Sequence, residues 1–591
     1  MTSGFEKIPF TQFKPDFRHL PHQIEVIGNG EVGGKGKGLL FVAIEMEKEG
    51  VLSDFPAQKI HIPKTQILTT EIFDRFQEAN RLKGLYRKVD YEELKEIYAG
   101  AEFPQDIQDR FREILETMTY PLAIRSSSIM EDSLEHSFAG LYFTVFIANQ
   151  GDLEKRLKEF MGAVKRVFVS TYNPSVYAYR KKHGLRSADD KMAILVQKMI
   201  GKTHDHFFFP LFSGVGFSRN FYPWNQRVQV QDGVIRLVYG LGTRAVGRNY
   251  ARVFSLSNPQ LRPEGSITRD IIRYSQEIFD ALDLDTNELV SLPVKQMKNK
   301  DRNLYKIASI LKDGSYLSNM YPMHLSDKDR IVVTFDPIIG SNHFMAFVDI
   351  IRDVLVRLET LFGIPVDIEF SVDFETNSDT GKEEGIFYLL QARPLGVREA
   401  HKKIEIPQIP RERVIVEASQ PLGNGVKQNI HHIIYIATGK YLEANPYEVA
   451  RKIGRLNQRM YKKPYILIGP GRWGSSNPQL GVPVRYGEIS NASVIVEVAS
   501  GRLTPELSYG THFFGDMLSD EMFYIPVFPQ KGDFINKNWL KSQKNYTRSN
   551  VVHLIEIPEG IQVIASGNEH RALIFTGSGS IEQDVPDKTR T

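Results

Sequence analysis

Apolar residues recur at helical spacing in two stretches of the first 170 positions. Ile107, Phe111, Ile114, Leu115 and Met118 share one face, as do Leu153, Leu157, Phe160, Met161, Val164 and Val167. Recurrence every three or four residues predicts amphipathic helices whose stripe faces a core. Asp152 stands at the expected N-cap of the second. A further helix is predicted over Leu39 to Glu49, and a long one over Asn342 to Phe362, stopped by Gly363 and Pro365. Short apolar or alternating runs predict strands at His22 to Ile27, Ile62 to Leu68, Leu122 to Ile124, Met192 to Ile200 and Phe207 to Phe217. Thr69 or Thr70 is placed to cap the helix that follows, with Glu71 in its first turn.

The strongest alternation lies further on. Val366, Ile368, Phe370 and Val372 take one face of a strand, which leaves Asp367, Glu369 and Ser371 on the other. After a polar loop, Asp373 to Gly385, the run Ile386 to Pro394 puts Gln391 and Arg393 on one face. If the two strands pair as a hairpin, two carboxylates, an amide and a guanidinium converge. Such oxygen ligands suit Mg²⁺ held together with substrate phosphates. The simpler alternative is an exposed edge with a cross-strand ion pair.

Two polar stretches carry candidate chemistry. Gly28-Asn-Gly-Glu-Val-Gly-Gly-Lys-Gly-Lys-Gly38 follows a predicted strand and precedes a helix. Its first glycines match a dinucleotide fingerprint, a weak signal alone. The glycines run on past the fingerprint and surround Lys35, which suits a phosphate better than a Rossmann turn. A flexible loop with a solvated lysine is the plain alternative. The second stretch, Pro121 to Thr144, delivers Arg125, three serines, Glu131, Asp132 and the small-residue turn Ser137-Phe-Ala-Gly140. Hydroxyls and backbone N–H groups hold phosphate oxygens, and a guanidinium clamps them in a fork. A serine-rich turn after a strand, with Arg125 in an ion pair, accounts for the same residues. His204 and His206 flank Asp205 without a further ligand at metal spacing, and read as a polar turn. The basic run Tyr179 to Gly184 reads as a solvated face.

Composition narrows the class. At 591 residues the chain implies several domains. A formal charge of +3 gives no sign of a nucleic-acid or polybasic membrane binder. No apolar run is long enough to span a membrane, and the N-terminus lacks the apolar segment of a signal peptide. The absence of cysteine excludes disulfides, thiolate catalysis and cysteine-ligated zinc. A cytoplasmic location is expected.

Five ordered motifs resemble the ATP-binding domain of the phosphoenolpyruvate synthase and pyruvate phosphate dikinase family. They are Gly33-Gly-Lys-Gly36, Ile124-Arg-Ser-Ser through Glu131-Asp132 to Ser137-Phe-Ala-Gly140, Val196-Gln-Lys-Met199, Asp367-x-Glu369, and Gln391-Ala-Arg-Pro394. Ser213-Gly-Val-Gly-Phe217 and Tyr239-Gly-Leu-Gly-Thr-Arg244 resemble two more. The chain departs at Lys64-Thr-Gln-Ile67, where the family has Pro-Pro-Gly-Phe, and at Thr243, where it has glutamate. The resemblance implies an α+β chain with a two-lobed, ATP-grasp-like unit. It implies that Lys35 and Arg125 hold phosphates of ATP. Val196, Gln197 and Met199 would lie beside the adenine. Asp367, Glu369 and Gln391 would position Mg²⁺, and Arg393 would neutralise developing charge.

The expected division is a first lobe over 1–190, a second over 191–396, a linker over 397–412, a smaller α/β domain over 413–577 and a disordered tail over 578–591. The C-terminal domain is expected to carry strands at Ile433 to Ala437, Tyr465 to Ile468 and Val494 to Val498, and a helix at Pro446 to Met460. Gly469-Pro-Gly-Arg-Trp-Gly-Ser-Ser476 holds an anion through Arg472, or is a turn packed by Trp473. Too few residues follow Pro394 for the family's phosphoenolpyruvate-binding barrel, which needs about 250. Gly510-Thr-His512 faintly resembles the family's phosphohistidine motif, so His512 is either a phosphoryl acceptor or a structural histidine. Three functions follow: a Mg·ATP phosphotransferase with its own acceptor, an ATP-binding subunit serving a separate acceptor protein, or a nucleotide sensor.

Overall fold

The structure is a computed structural model. It describes residues 10–577 apart from 18–19, 49–59, 131–141, 175, 178–179, 181–189, 221–226, 246–251, 263–265, 321–328, 379, 396–405, 420, 422–424, 462, 476–477, 502, 504, 506–521 and 567–568. Glu131, Asp132, the Ser137–Gly140 turn, His512 and the 578–591 tail lie outside the described residues. The chain divides into two compact units, the first over Met1–Val397 and the second built mainly from Arg398–Leu507 and Asp520–Thr591.

The first unit contains two lobes. A five-stranded sheet orders Ile24–Ile27, Thr65–Leu68, Met192–Lys198, Leu122–Ser128 and Thr144–Ile147. The two amphipathic stripes bury one of its faces. Phe111, Ile114 and Leu115 from helix Gln105–Thr117, and Phe160, Val164 and Val167 from helix Leu153–Ser170, pack with Leu122, Ile124, Ile194 and Val196. Asp152 caps the second helix by accepting from Lys155 N at 2.9 Å.

The second lobe is a six-stranded sheet ordered Arg252–Ser255, Val234–Tyr239, Phe212–Phe217, Val366–Thr376, Glu383–Pro394 and Ile60–His61. The expected hairpin forms, with Asp367 opposite Arg393 and Glu369 opposite Gln391. Its turn is shorter than the expected polar loop, because pairing continues to Thr376 opposite Glu383. Val366, Ile368, Phe370 and Val372 are buried as the alternation requires. Helix Phe347–Phe362 covers this sheet and ends at Gly363 with φ 71°. It starts later than expected, because Asn342 to Ala346 is not helical; a separate short helix, Asp336–Gly340, precedes that stretch. Two smaller sheets complete the lobe. One orders Glu288–Pro293, Ile278–Asp283, Phe207–Phe209 and Lys202–His204; the other is Tyr316–Asn319, Ala308–Lys312 and Arg330–Val333.

One helix, Gly33–Lys48, belongs to both lobes. It begins inside the glycine run, which is therefore not a loop as far as Gly38. Leu39, Leu40, Phe41 and Val42 are wholly buried and join a core shared with Leu195, Phe362, Phe370 and Ala392. The glycines permit this approach. A Cβ on Gly33 would sit 1.8 Å from the Ser127 carbonyl oxygen, and one on Gly38 would sit 2.3 Å from that of Ala392. Arg180, expected on a solvated face, is instead buried in an ion pair with Asp190.

The second unit is built on an eight-stranded sheet: Phe523–Val527, Ala492–Val498, Tyr465–Pro470, Gly425–Ile436, Val552–Ser566, Arg571–Thr576, Val414–Ala418 and Phe534–Ile535. Its first four strands are parallel and helix Pro446–Arg459 connects two of them. Residues 472–473 pair with Gly481–Val482. Trp473 is fully buried, and its backbone N–H donates to the buried Glu497 at 2.7 Å. The Gly469 turn is thus packed by Trp473. Among the described residues no helix is long and apolar enough to cross a membrane.

Asp373, on the central strand of the second lobe, is buried, and burial pushes its carboxyl up to about 7. Lys202, Asp301 and Glu375 are the charges that act on it. A carboxyl raised on folding is neutral in both states at low pH. It costs stability as pH climbs past its unfolded value of about 3.9, until the folded group ionises as well. Asp373→Asn removes that cost. Urea unfolding should find the variant more stable at about pH 8, by on the order of 2–4 kcal/mol. The difference should vanish towards about pH 4. An equal difference at both pH values would contradict the burial assigned to this carboxyl.

Candidate active site

The site forms where Leu122–Ser128 of the first lobe meets the hairpin of the second. The serines of that strand do not form a turn. Ser126, Ser127 and Ser128 continue it and are buried. Ser126 Oγ accepts from Lys35 Nζ at 3.2 Å. Ser127 Oγ accepts from Gly36 N at 3.0 Å and donates to Val32 O at 2.7 Å. The hydroxyls therefore hold the glycine turn and its lysine. The Thr69-Thr70-Glu71 triplet does the same from the other side. Thr69 Oγ1 accepts from Gly30 N, Thr70 Oγ1 from Glu31 N and the Glu71 carboxylate from Asn29 N, at 3.2, 3.0 and 2.6 Å. The expected side-chain cap is absent at Thr69 because its hydroxyl serves the turn.

Arg125 is the centre of the arrangement. It leaves a strand of the first lobe and is only 7% exposed. Its Nη2 pairs with Glu369 of the second lobe and donates to Gln391 Oε1 at 2.9 Å. Its Nη1 donates to Gln197 Oε1 at 3.3 Å and to Leu390 O at 3.4 Å. Arg393 Nε donates to both oxygens of Asp367, at 2.7 and 2.9 Å. The hairpin carries a bulge between Glu369 and Phe370. A bulge turns adjacent side chains out of strict alternation, and Glu369, Phe370 and Ser371 all reach the same cavity.

That cavity has a volume of about 430 Å³. Lys35, Arg125, Gln197, Met199, Glu369, Gln391 and Arg393, all singled out in the sequence, line it. Two of the expected residues do not. Val196 lies wholly in the helix-covered core, because alternation sends its side chain to the face opposite Gln197. Asp367 stands behind Arg393, which takes both its oxygens. Met199 lines the cavity, but its backbone N–H is committed to Pro121 O at 3.0 Å. The lining also takes in Leu241 and Gly242, from the Tyr239–Arg244 stretch noted in the sequence, and Leu289, which sequence reasoning missed. Thr243 also lines it and donates to Asp280 at 2.7 Å. A carboxylate therefore stands one hydrogen bond behind the position where glutamate was expected. Arg244 and Ser291 hold that carboxylate in place.

Four cationic side chains, Lys35, Arg125, Lys198 and Arg393, and carboxylate and amide oxygens thus surround a cavity sized for a small polyanion. A profile of known proteins described as "Pyruvate phosphate dikinase, AMP/ATP-binding domain" matches residues 29–413, which include every residue of this cavity. The chain belongs to that family. The family's match ends just past the first unit. Its curated relatives include an uncharacterized phosphotransferase, YvkC, of Bacillus subtilis, 24% identical over 63% of this chain and 34% of the relative. The phosphoenolpyruvate synthase of Aeropyrum pernix is 25% identical over 67% of this chain and 44% of its own length. A probable phosphoenolpyruvate synthase of Methanothermobacter thermautotrophicus is 23% identical over 68% of this chain and 52% of its own. The chain spans about a third to a half of the length of these relatives.

Arg125→Ala should weaken ATP binding by about 1.5–3 kcal/mol, the worth of a charge-assisted contact. Because Arg125 also ties the lobes together, the variant should melt lower. Calorimetric titration and a thermal scan check both. Unchanged ATP affinity would remove the cavity from consideration as the nucleotide site.

Proposed function

We propose that this chain is a Mg·ATP-dependent phosphotransferase. Its first unit would work as an ATP-grasp-like clamp that hands a phosphoryl group to a histidine or another acceptor. The observation that carries the reading is the convergence of Lys35, Arg125, Glu369, Gln391 and Arg393 on one cavity within a family described as AMP/ATP-binding. The phosphoenolpyruvate synthases among its relatives support a dikinase-type reaction.

Phosphoryl transfer asks little covalent chemistry of the protein and much positioning. Lys35, held by Ser126, and the guanidiniums of Arg125 and Arg393 would bind the polyphosphate oxygens. The adenine would lie against Gln197, Met199 and Leu241. The donor set fits Mg²⁺, since Glu369 and Gln391 present the hard oxygens this ion takes. Asp367 would act through Arg393. Mg²⁺ would supply charge neutralisation on the phosphates. On binding, Arg125 would turn from Glu369 to phosphate, which would free the Glu369 carboxylate as one of the groups that hold the ion. Either half of that exchange alone strands a charge, so nucleotide and metal should bind cooperatively.

The acceptor would be a histidine or another nucleophile. His512 is one candidate and a separate acceptor protein the other. A nucleotide sensor without turnover is the competing function; Thr243 in place of glutamate prompted it, and the Asp280 carboxylate behind Thr243 argues against it. The decisive experiment uses ATP labelled at the β-phosphate. AMP and phosphate as products, with an acid-labile label on a histidine of the chain or of an added acceptor, support the reading. ADP as the product contradicts the dikinase chemistry, and no turnover with any acceptor supports the sensor.

Glu369→Gln should lower turnover more than nucleotide binding. The loss should be partly rescued by raising Mg²⁺, because an amide is a weaker ligand than a carboxylate. Normal turnover of this variant at low Mg²⁺ would make the hairpin ion pair purely structural.

A further inference from the structure

Two hairpin turns of the four-stranded sheet come together at the edge of the second lobe. The first, Asp205-His206, joins Lys202–His204 to Phe207–Phe209, with Asp205 at φ 56°. The second, residues 284–287, joins Ile278–Asp283 to Glu288–Pro293. The ladder places Asp283 opposite Phe207, and Leu284 N donates to His206 O at 2.8 Å. The backbone thus fixes His206 against Asp283 and Asp285. One ligand atom from each lies within 4.8 Å of the others.

The His206 ring packs beside that of Phe207, 4.0 Å between centroids, and the cluster keeps ligand atoms that no hydrogen bond takes up among the described residues. Asp283 is 8% exposed. Its Oδ1 accepts from Asp285 N and Thr286 N, at 2.9 and 3.1 Å. Its Oδ2 has no hydrogen-bond donor among the described residues and faces His206 Nε2 at 3.8 Å. Neither the His206 ring nor the Asp285 carboxylate has a side-chain hydrogen bond there. Lys300 is paired with Asp205 at 2.5 Å rather than with Asp283 or Asp285. A buried carboxylate with one oxygen free of hydrogen bonds, beside an imidazole and a second carboxylate, offers a cation its donor set.

We propose that His206, Asp283 and Asp285 bind a divalent transition-metal ion, Zn²⁺ foremost, at a site distinct from the nucleotide cavity. One nitrogen and two oxygens with room for water match the three-ligand sites of zinc. Imidazole nitrogen selects zinc or its neighbours over Mg²⁺, which takes oxygen and sheds its water reluctantly. The ion would clip the two turns together. The second turn matters beyond itself: Asn287 Oδ1 accepts from Ala148 N of the first lobe at 2.5 Å, and Leu289 lines the nucleotide cavity. A metal here would therefore steady one contact between the lobes.

The test titrates Zn²⁺ into the full-length, chelator-stripped chain in millimolar Mg²⁺, without nucleotide. One ion per chain should bind. His206→Ala and Asp285→Asn should each weaken it at least as much as loss of an outer-shell partner, about 10–100-fold. His204→Ala should not, since the His204 ring stacks on Phe209 instead. Zn²⁺ should raise the melting temperature of the wild type and of His204→Ala, and leave that of His206→Ala unmoved. His206 is half exposed in a turn, so its variant should fold, and circular dichroism verifies this. Equal binding by wild type and His206→Ala means an adventitious ion only and overturns the proposal. So does an absence of binding, or full displacement of Zn²⁺ by Mg²⁺.

Discussion

One buried guanidinium, that of Arg125, ties the two lobes of the first unit at the candidate site. Arg125 comes from a sheet whose core is helix-covered, and it reaches a carboxylate and an amide on the other lobe's hairpin. An ion pair taken out of water gains little net stability unless its geometry is good and its remaining donors are satisfied. Here Gln197, Gln391 and the Leu390 carbonyl satisfy them. The pair is also incomplete as a structural device, because the Glu369 side chain keeps 30% of its surface exposed on the cavity side. An arginine held firmly but opposite a reachable carboxylate is poised to change partners. That is what a site needs if it must hold charge in place without a ligand and yield to one with it.

The rest of the lobe serves that position. The helix from Gly33 can lie between two sheets only because Gly33 and Gly38 lack Cβ atoms. Once it lies there, its first turn must be fixed, and this takes hydroxyls from Ser126 and Ser127 on one side and the Thr69–Glu71 triplet on the other. The glycine run and the serine run are thus two halves of one joint. Lys35 inherits its place from both.

Much of this was legible in the sequence. Alternation in the two hairpin strands put Glu369, Gln391 and Arg393 together, and the motif order added Lys35 and Arg125. The same alternation, applied to Met192–Lys198, shows that Val196 and Gln197 cannot both face the cavity. Motif matching alone overlooked that. The serines belong to a strand rather than a turn, which the sequence did not reveal, because a hydroxyl-rich run suits phosphate oxygens and buried backbone N–H groups equally well. Helical periodicity could not place the start of the long helix, since Asn342 to Ala346 is polar and apolar by turns without being helical. The His206 cluster was invisible from spacing: its carboxylates come from a hairpin far along the chain, and only sheet register brings them near. His512 and the acidic pair Glu131-Asp132 lie outside the described residues.

The central claim is that the Arg125–Glu369 pair opens to receive Mg·ATP between the lobes. It is tested most directly by a crystal structure of this chain with Mg²⁺ and a non-hydrolysable ATP analogue. The triphosphate should lie against Lys35, Arg125 and Arg393, with Glu369 released from Arg125 and facing the metal. A nucleotide bound elsewhere, for example in the groove beside Phe13, Phe17 and Lys37, with the Arg125–Glu369 pair intact, would contradict it.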